Sequence, residues 1–214
     1  MAFGEKDLDL LGRPATGRVL RPPLSTGSEV PHAVPGGEPR ALFVSHLARP
    51  ENADAVRWLL SEIWPQVLEE LPRARLRIAG AGAPEDLIRA VVEEDSVDLL
   101  GFVDDLAPEY AAARAVVVPL RFGAGVKFKT IDALLQGVPV VTTSVGAEGI
   151  GPETLYAAVA DRSAELAAAL VRALSEPEAV QAIADRAQAW AVDTFGLHSF
   201  QDALARAYGV ADES

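Results

Sequence analysis

From residue 41 onward, short apolar runs alternate with longer stretches in which apolar residues recur every three or four positions. The short runs ALFVSH (41–46), RLRIAG (75–80), VDLLG (97–101), AVVVPL (115–120), PVVTT (139–143) and YAAVA (156–160) predict strands. The stretches between them predict helices over 53–71, 84–94, 106–113, 127–136 and 163–175. Strands rich in Val, Ile and Leu with little polar alternation imply burial on both faces, and their regular separation by helices implies right-handed crossovers. The expected fold is α/β: a doubly wound, Rossmann-like parallel sheet from residue 41 to about 175. Two more helices follow. SEPEAVQAIADRAQAWAVDTF places Pro177 at a first helical position, and LHSFQDALARAY has helical spacing of its own.

Smaller features refine this outline. Asn52 is expected to cap the first helix, and Pro65 to kink or divide it, because the ring removes a donor and clashes with the preceding turn. Trp58 and Trp64 fall on or near the apolar face and read as core residues. Asp104 and Asp105 are expected to cap the next helix but one. Residues 12–40 concentrate Gly, Pro and Ser without sustained periodicity and read as a linker, preceded in EKDLDLLG by at most two helical turns ending at Gly12.

Composition narrows the classes of partner. With 214 residues, half of them hydrophobic, the chain can bury a full core. A net charge of -12 disfavours nucleic acid and anionic membranes, both of which need a positive surface. An anionic ligand must then be held by local groups. The absence of cysteine removes disulfides and thiolate metal sites. The N-terminus lacks the basic-then-apolar pattern of a signal peptide, and no apolar run reaches the roughly 20 residues of a membrane span, so a soluble, cytoplasmic protein is expected.

In an open parallel sheet, ligands lie beyond the carboxyl ends of the strands, where helix N-termini present unpaired amides. Among the loops there, RFGAGVKFK after the fourth strand has the strongest chemistry. Gly123 and Gly125 let backbone approach a ligand, the amides of residues 124–127 can point along the helix, and Lys127 and Lys129 add positive charge. Together they could hold a diphosphate. Asp132, one turn into the helix, could accept hydrogen bonds from sugar or ribose hydroxyls. The plain alternative is a glycine turn with two solvated lysines. GAG after the second strand reads as a turn, and without an acidic residue at Rossmann spacing it makes no case for a nicotinamide cofactor. His46, at the end of the first strand, is either a ligand contact or a hydrogen-bonded structural residue. His32 and His198 lack partners at metal spacing, and there is no nucleophile elbow.

These residues resemble a known family. GAGVKFKTIDALLQGVPVVTTSVGAEGI is similar to the signature of the retaining, nucleotide-sugar-dependent glycosyltransferases of two-lobed GT-B architecture, group 1 or family 4 type. LFVSHLARPENADAVRWLLSEIWPQVLEELPRARLRIAGAG and VDLLGFVDDLAPEYAAARAVVVPLRFGAG match the family's preceding units in order. The resemblance covers residue 41 to the end and implies the C-terminal, donor-binding lobe, residues 41–214, with residues 1–40 a remnant and linker of an acceptor-binding N-terminal lobe that is otherwise missing. It implies a nucleoside diphosphate sugar as donor, no cofactor and no metal. Carried over by position, Gly123, Ala124, Gly125 and Val126 would face phosphates and sugar, with Lys127 a phosphate ligand. Asp132 stands for the second of two family glutamates, the one that binds ribose. The first falls on Ala124, so the usual carboxylate contact to the sugar is absent. Phe102 and Val103 match positions that line the base, and Gly146 and Glu148 match a loop bordering the donor. The first-strand loop offers His46 and Arg49 where many members have an arginine and a lysine, although a related subgroup has a similar Pro-Asn loop. Two alternatives stay open: a non-catalytic nucleotide-binding or scaffold module with this lobe, and a two-lobed epimerase, for which no convincing acid and base are found.

Overall fold

The computed structural model describes residues 5–10, 12, 19–21, 23–24 and 36–208. Most of the expected linker, including residues 25–35, lies outside the described residues. The short helix expected before it is present as α1 (Glu5–Leu10).

Six strands form one parallel sheet: β1 (Arg40–Val44), β2 (Arg75–Ala79), β3 (Val97–Gly101), β4 (Ala115–Val118), β5 (Val140–Thr142) and β6 (Ala158–Val159). Their spatial order is β3-β2-β1-β4-β5-β6. The expected doubly wound α/β architecture is therefore present. Ala41, Leu42 and Phe43 of β1 and all four residues of β4 are buried, as the unbroken apolar runs of central strands require. Except for β3, which reaches the end of its run, the strands stop one or two residues short of the apolar runs, because the last residues turn out into the ligand-side loops.

The predicted first helix is one continuous rod in three parts: α2 (Pro50–Trp58), a π-helical turn (Leu59–Ile63) and α3 (Trp64–Glu70). Backbone angles stay helical across the junctions, with φ/ψ of −64°/−41° at Trp58 and −62°/−39° at Trp64. Pro65 does not divide the helix. Its missing N–H and ring clash are absorbed by widening the preceding turn to the π form. The expectation for Asn52 is also corrected. Arg49 is the N-cap and Pro50, whose fixed φ suits the position, is the first helical residue. Asn52 thus lies inside the first turn, buried, with its side chain free for other work.

Both tryptophans are core residues. Trp64 Nε1 donates to Ser96 Oγ at 2.8 Å, tying α3 to the start of β3. The Arg121 guanidinium lies 5.4 Å from the Trp58 ring centre and donates to the Asp54 carboxylate. The remaining helices are α4 (Glu85–Val92), α5 (Ala107–Ala112), α6 (Phe128–Leu135), α7 (Ser144–Ala147), α8 (Ser163–Ser175), α9 (Pro177–Phe195) and α10 (Leu197–Tyr208). Leu106 is the N-cap of α5, and Asp105 just before it accepts from Ala107 N–H at 2.9 Å; among the described residues no bond of this kind runs to Asp104. On the other side of the sheet, Gln188 of α9 donates to the Leu135 carbonyl at 2.9 Å and locks the C-terminal end of α6. Among the described residues no helix is long and apolar enough to cross a membrane.

Candidate functional site

The sheet order reverses direction between β1 and β4, whose following connections leave toward opposite edges. A crevice opens there at the carboxyl ends of the strands, the position at which open α/β sheets take ligands. It holds a cavity of about 570 Å³. Of the sequence-predicted site residues, the cavity brings together His46, Phe102, Val103, Gly123, Ala124, Gly125, Val126, Lys127, Lys129 and Asp132, and it adds Arg49. Phe102 is 74% exposed, an open aromatic face at the mouth.

The loop from Gly123 to Lys127 is built around a buried cation. Lys127, the N-cap of α6, is only 4% exposed. Its ammonium folds back under the loop and donates to the carbonyls of Gly125 at 2.8 Å and Gly123 at 3.1 Å. It is not a solvated lysine. A trans peptide points its N–H opposite to its carbonyl, so the amides of Ala124 and Val126 face away from that ammonium. Among the described residues, no backbone carbonyl accepts from the N–H groups of residues 123–127.

Lys129 is the second cation. It is half-buried, and its ammonium donates to Asn52 Oδ1 at 2.5 Å. Burial, opposed by the Glu51 charge and aided by the Lys127 and Arg49 charges, brings its pKa down to about 8. Asn52 Nδ2 in turn donates to the His46 carbonyl at 2.8 Å. Asp132 keeps an open side toward the cavity, yet loss of solvent around its carboxyl pushes its pKa up to about 6. Behind it stands Tyr110, a buried hydroxyl with no hydrogen-bond partner among the described residues, whose pKa is raised by burial and then by the Asp132 charge.

Gly146 and Glu148 are not brought to the cavity wall. Gly146 sits in α7, buried, where a Cβ would stand 2.1 Å from Thr142 Oγ1 and 2.8 Å from the Val118 carbonyl. Its N–H donates to Thr143 Oγ1 and its carbonyl accepts from Thr130 Oγ1 at 2.9 Å, so packing between β4, β5 and α6 requires glycine there. Glu148 approaches only from behind, with Oε2 3.5 Å from Lys127 Nζ.

Sequence reasoning missed three contributors. Ser45, 9% exposed, lines the cavity with a hydroxyl that has no hydrogen-bond partner among the described residues. Asn52 was assigned to a helix cap, and only the true helix start at Pro50 shows that its side chain faces the crevice. Gly80, in the loop read as a plain turn, lines the cavity while packing on Ser45; a glycine directly after a strand was the available signal. Among the described residues no three His, Cys, Asp or Glu side chains gather in a way that could hold a metal ion.

A family model described as glycosyl transferases group 1 matches residues 38–176. An uncharacterized 44.6 kDa protein in the cps region of Klebsiella pneumoniae is 35% identical over 117 residues, which is 51% of this chain and 30% of that protein. Among solved structures, WaaG, a glycosyltransferase involved in lipopolysaccharide biosynthesis, aligns over 99% of this chain and 62% of its own with a TM-score of 0.72 at 19% identity. A TarM mutant from S. aureus, in complex with fondaparinux, α-GlcNAc-glycerol and UDP, aligns over 97% of this chain and 43% of its own with a TM-score of 0.72 at 16% identity. Anabaena HepE, in complex with UDP and glucose, aligns over 81% of this chain and 49% of its own with a TM-score of 0.65 at 19% identity. The chain thus spans about a third to three fifths of the length of these proteins.

Proposed function

The chain belongs to the group 1 glycosyl transferases, and we propose that it is the donor-binding lobe of such an enzyme, residues 41–214, holding a nucleoside diphosphate sugar whose sugar is transferred with retention. The observation that carries this reading is the meeting, in one cleft, of a glycine loop with unpaired amides, the Lys129 ammonium and the Asp132 carboxylate. The amides of residues 123–127 and Lys129 meet the diphosphate. Lys127 acts from beneath, holding the loop carbonyls so that its amides stay turned outward and adding its charge to the field. Asp132 accepts from ribose hydroxyls, and the base packs on Phe102 and Val103. His46 and Ala124 border phosphates and sugar, and Glu148 tunes Lys127.

The chemistry assigned to this lobe is stabilisation of the departing diphosphate. Preorganised donors aimed at the phosphate oxygens lower the barrier only as far as they hold the leaving group more tightly than the substrate. Amides and an ammonium offset the phosphate charge, so binding proceeds in EDTA without a divalent cation. The acceptor side belongs to a second lobe, to which residues 1–40 connect. Calorimetry with UDP, GDP and ADP on the folded 214-residue chain tests the reading. Binding of at least one in EDTA is expected; a folded sample that binds none contradicts it.

One observation favours a second reading, a nucleotide-binding module without transfer activity: Ala124 puts no carboxylate beside the sugar. Sugar-nucleotide turnover by a protein that includes an acceptor lobe decides between the two.

A further inference from the structure

Asn52 is a buried polar side chain, 3% exposed, with one bond inside its own wall of the crevice and one across to the facing wall. Its Nδ2 donates to the His46 carbonyl in the loop after β1, and its Oδ1 accepts from the Lys129 ammonium in the first turn of α6. These elements form opposite walls of the cleft and meet the sheet at β1 and β4. The carbonyl can only accept and the ammonium can only donate, so the orientation of the amide is fixed by its partners. Helical side chains lean toward the N-terminus of their helix, which lets the third residue of α2 reach back past Arg49 to His46.

We propose that Asn52 is a positioning residue that joins the two cleft walls and holds the Lys129 ammonium charged and aimed at a ligand diphosphate. This rests on the donor-lobe reading above. A carboxamide suits the position as no other small side chain does. An aspartate would set a negative oxygen against the His46 carbonyl and neutralise the ammonium that the phosphates need; an apolar residue of equal size would take the acceptor away from a half-buried ammonium. Lys129 is faced by Glu51 and Arg49 from the start of α2, by Lys127 from its own element, and it shares the cavity with His46 and Asp132. Glu51 alone does not offset burial and two neighbouring cations; the carboxamide oxygen bonded to the ammonium favours its charged form without cancelling it.

The test is UDP affinity by calorimetry from pH 6 to 9.5, with uridine titrated in parallel, for the wild-type 214-residue chain, Asn52→Leu, Asn52→Asp and Lys129→Gln. In the wild type, UDP affinity falls as pH rises beyond about 8, because the bound form needs the protonated lysine. Lys129→Gln removes that high-pH limb and weakens UDP at least tenfold. Asn52→Leu moves the limb to lower pH, and Asn52→Asp moves it to higher pH; both bind UDP more weakly at pH 7, and uridine affinity stays within threefold. If Asn52→Leu and Asn52→Asp lower UDP and uridine affinity alike with the limb unmoved, Asn52 is structural only and the proposal fails. Should Asn52→Leu not fold, the opposite displacement required of Asn52→Asp still decides the matter. A folded wild-type chain that binds no nucleoside diphosphate overturns the donor-lobe reading instead.

Discussion

The tripeptide Gly-Ala-Gly occurs twice at the ligand side of the sheet, at 80–82 after β2 and at 123–125 after β4, with positive φ at the glycines of both copies but different surroundings. At Gly80 a Cβ would stand 1.6 Å from the Ser45 carbonyl oxygen, and at Gly82 one would stand 2.8 Å from Ala48 Cβ. That copy is filled by protein. At Gly125 nothing lies within 4 Å of a Cβ, and at Gly123 only the Glu51 side chain comes within 3.4 Å. What demands glycine there is the backbone, with φ of +79° at Gly125. The first loop closes the crevice floor by packing, and the second leaves space and unpaired amides above it. Identical sequence therefore separates into a structural and a ligand-facing role only through what surrounds it.

Substitutions break this contrast in a definite order. Gly80→Ala has the largest effect: the clash is with backbone, which cannot rotate away, so a loss of at least about 3 kcal/mol is expected in denaturant unfolding. Lys127→Ala comes next. It strips two carbonyls of a charged donor and costs about 1–3 kcal/mol, and by freeing the loop it weakens UDP far more than uridine in calorimetry. Equal loss for both ligands would make the lysine purely structural. Gly125→Ala meets no atoms but holds an L-residue in the left-handed region, a cost of about 1–2 kcal/mol by thermal unfolding. Its UDP affinity falls while Gly82→Ala, at similar φ, leaves whatever UDP binding survives unfolding intact.

Asp132→Asn sharpens the comparison in the other direction. The folded-state pKa of about 6 lies above the ordinary 3.8, so ionisation opposes folding: the penalty is absent below about pH 4, grows between 4 and 6 and is complete above 6. The variant is therefore more stable than wild type at pH 7.5, with no difference near pH 3.5, while uridine and UDP both bind more weakly. Ala124→Glu is the smallest change in stability, within about 0.5 kcal/mol at an exposed loop position. It introduces a carboxylate beside the sugar, and a UDP-sugar is expected to gain affinity relative to UDP.

Periodicity alone located all six strands and the order of helices between them, because central strands buried on both faces leave unbroken apolar runs. Ten predicted site residues meet in one cavity because the sheet order forces the loops after β1, β3 and β4 together. Two kinds of feature were illegible. Whether a lysine is solvated depends on carbonyls that a loop turns inward, and Lys127 shows both bonds made within five residues of sequence that gives no hint of them. Whether a polar residue caps a helix or spans a cleft depends on a start site two residues away, and Pro50 moved Asn52 from the first role to the second. Gly146 carries a third lesson: the contacts of Thr142 and Val118 around it require glycine by packing, which its place in the sequence does not reveal.

The central claim, that the second Gly-Ala-Gly copy faces a diphosphate, is tested most directly by following the backbone amide resonances of Gly123, Gly125 and Gly82 in the folded chain during titration with UDP and, separately, with uridine. The Gly123 and Gly125 signals are expected to move with UDP and stay still with uridine, while Gly82 stays still with both. Movement of Gly123 and Gly125 to the same extent with uridine, or no movement with saturating UDP, would contradict it.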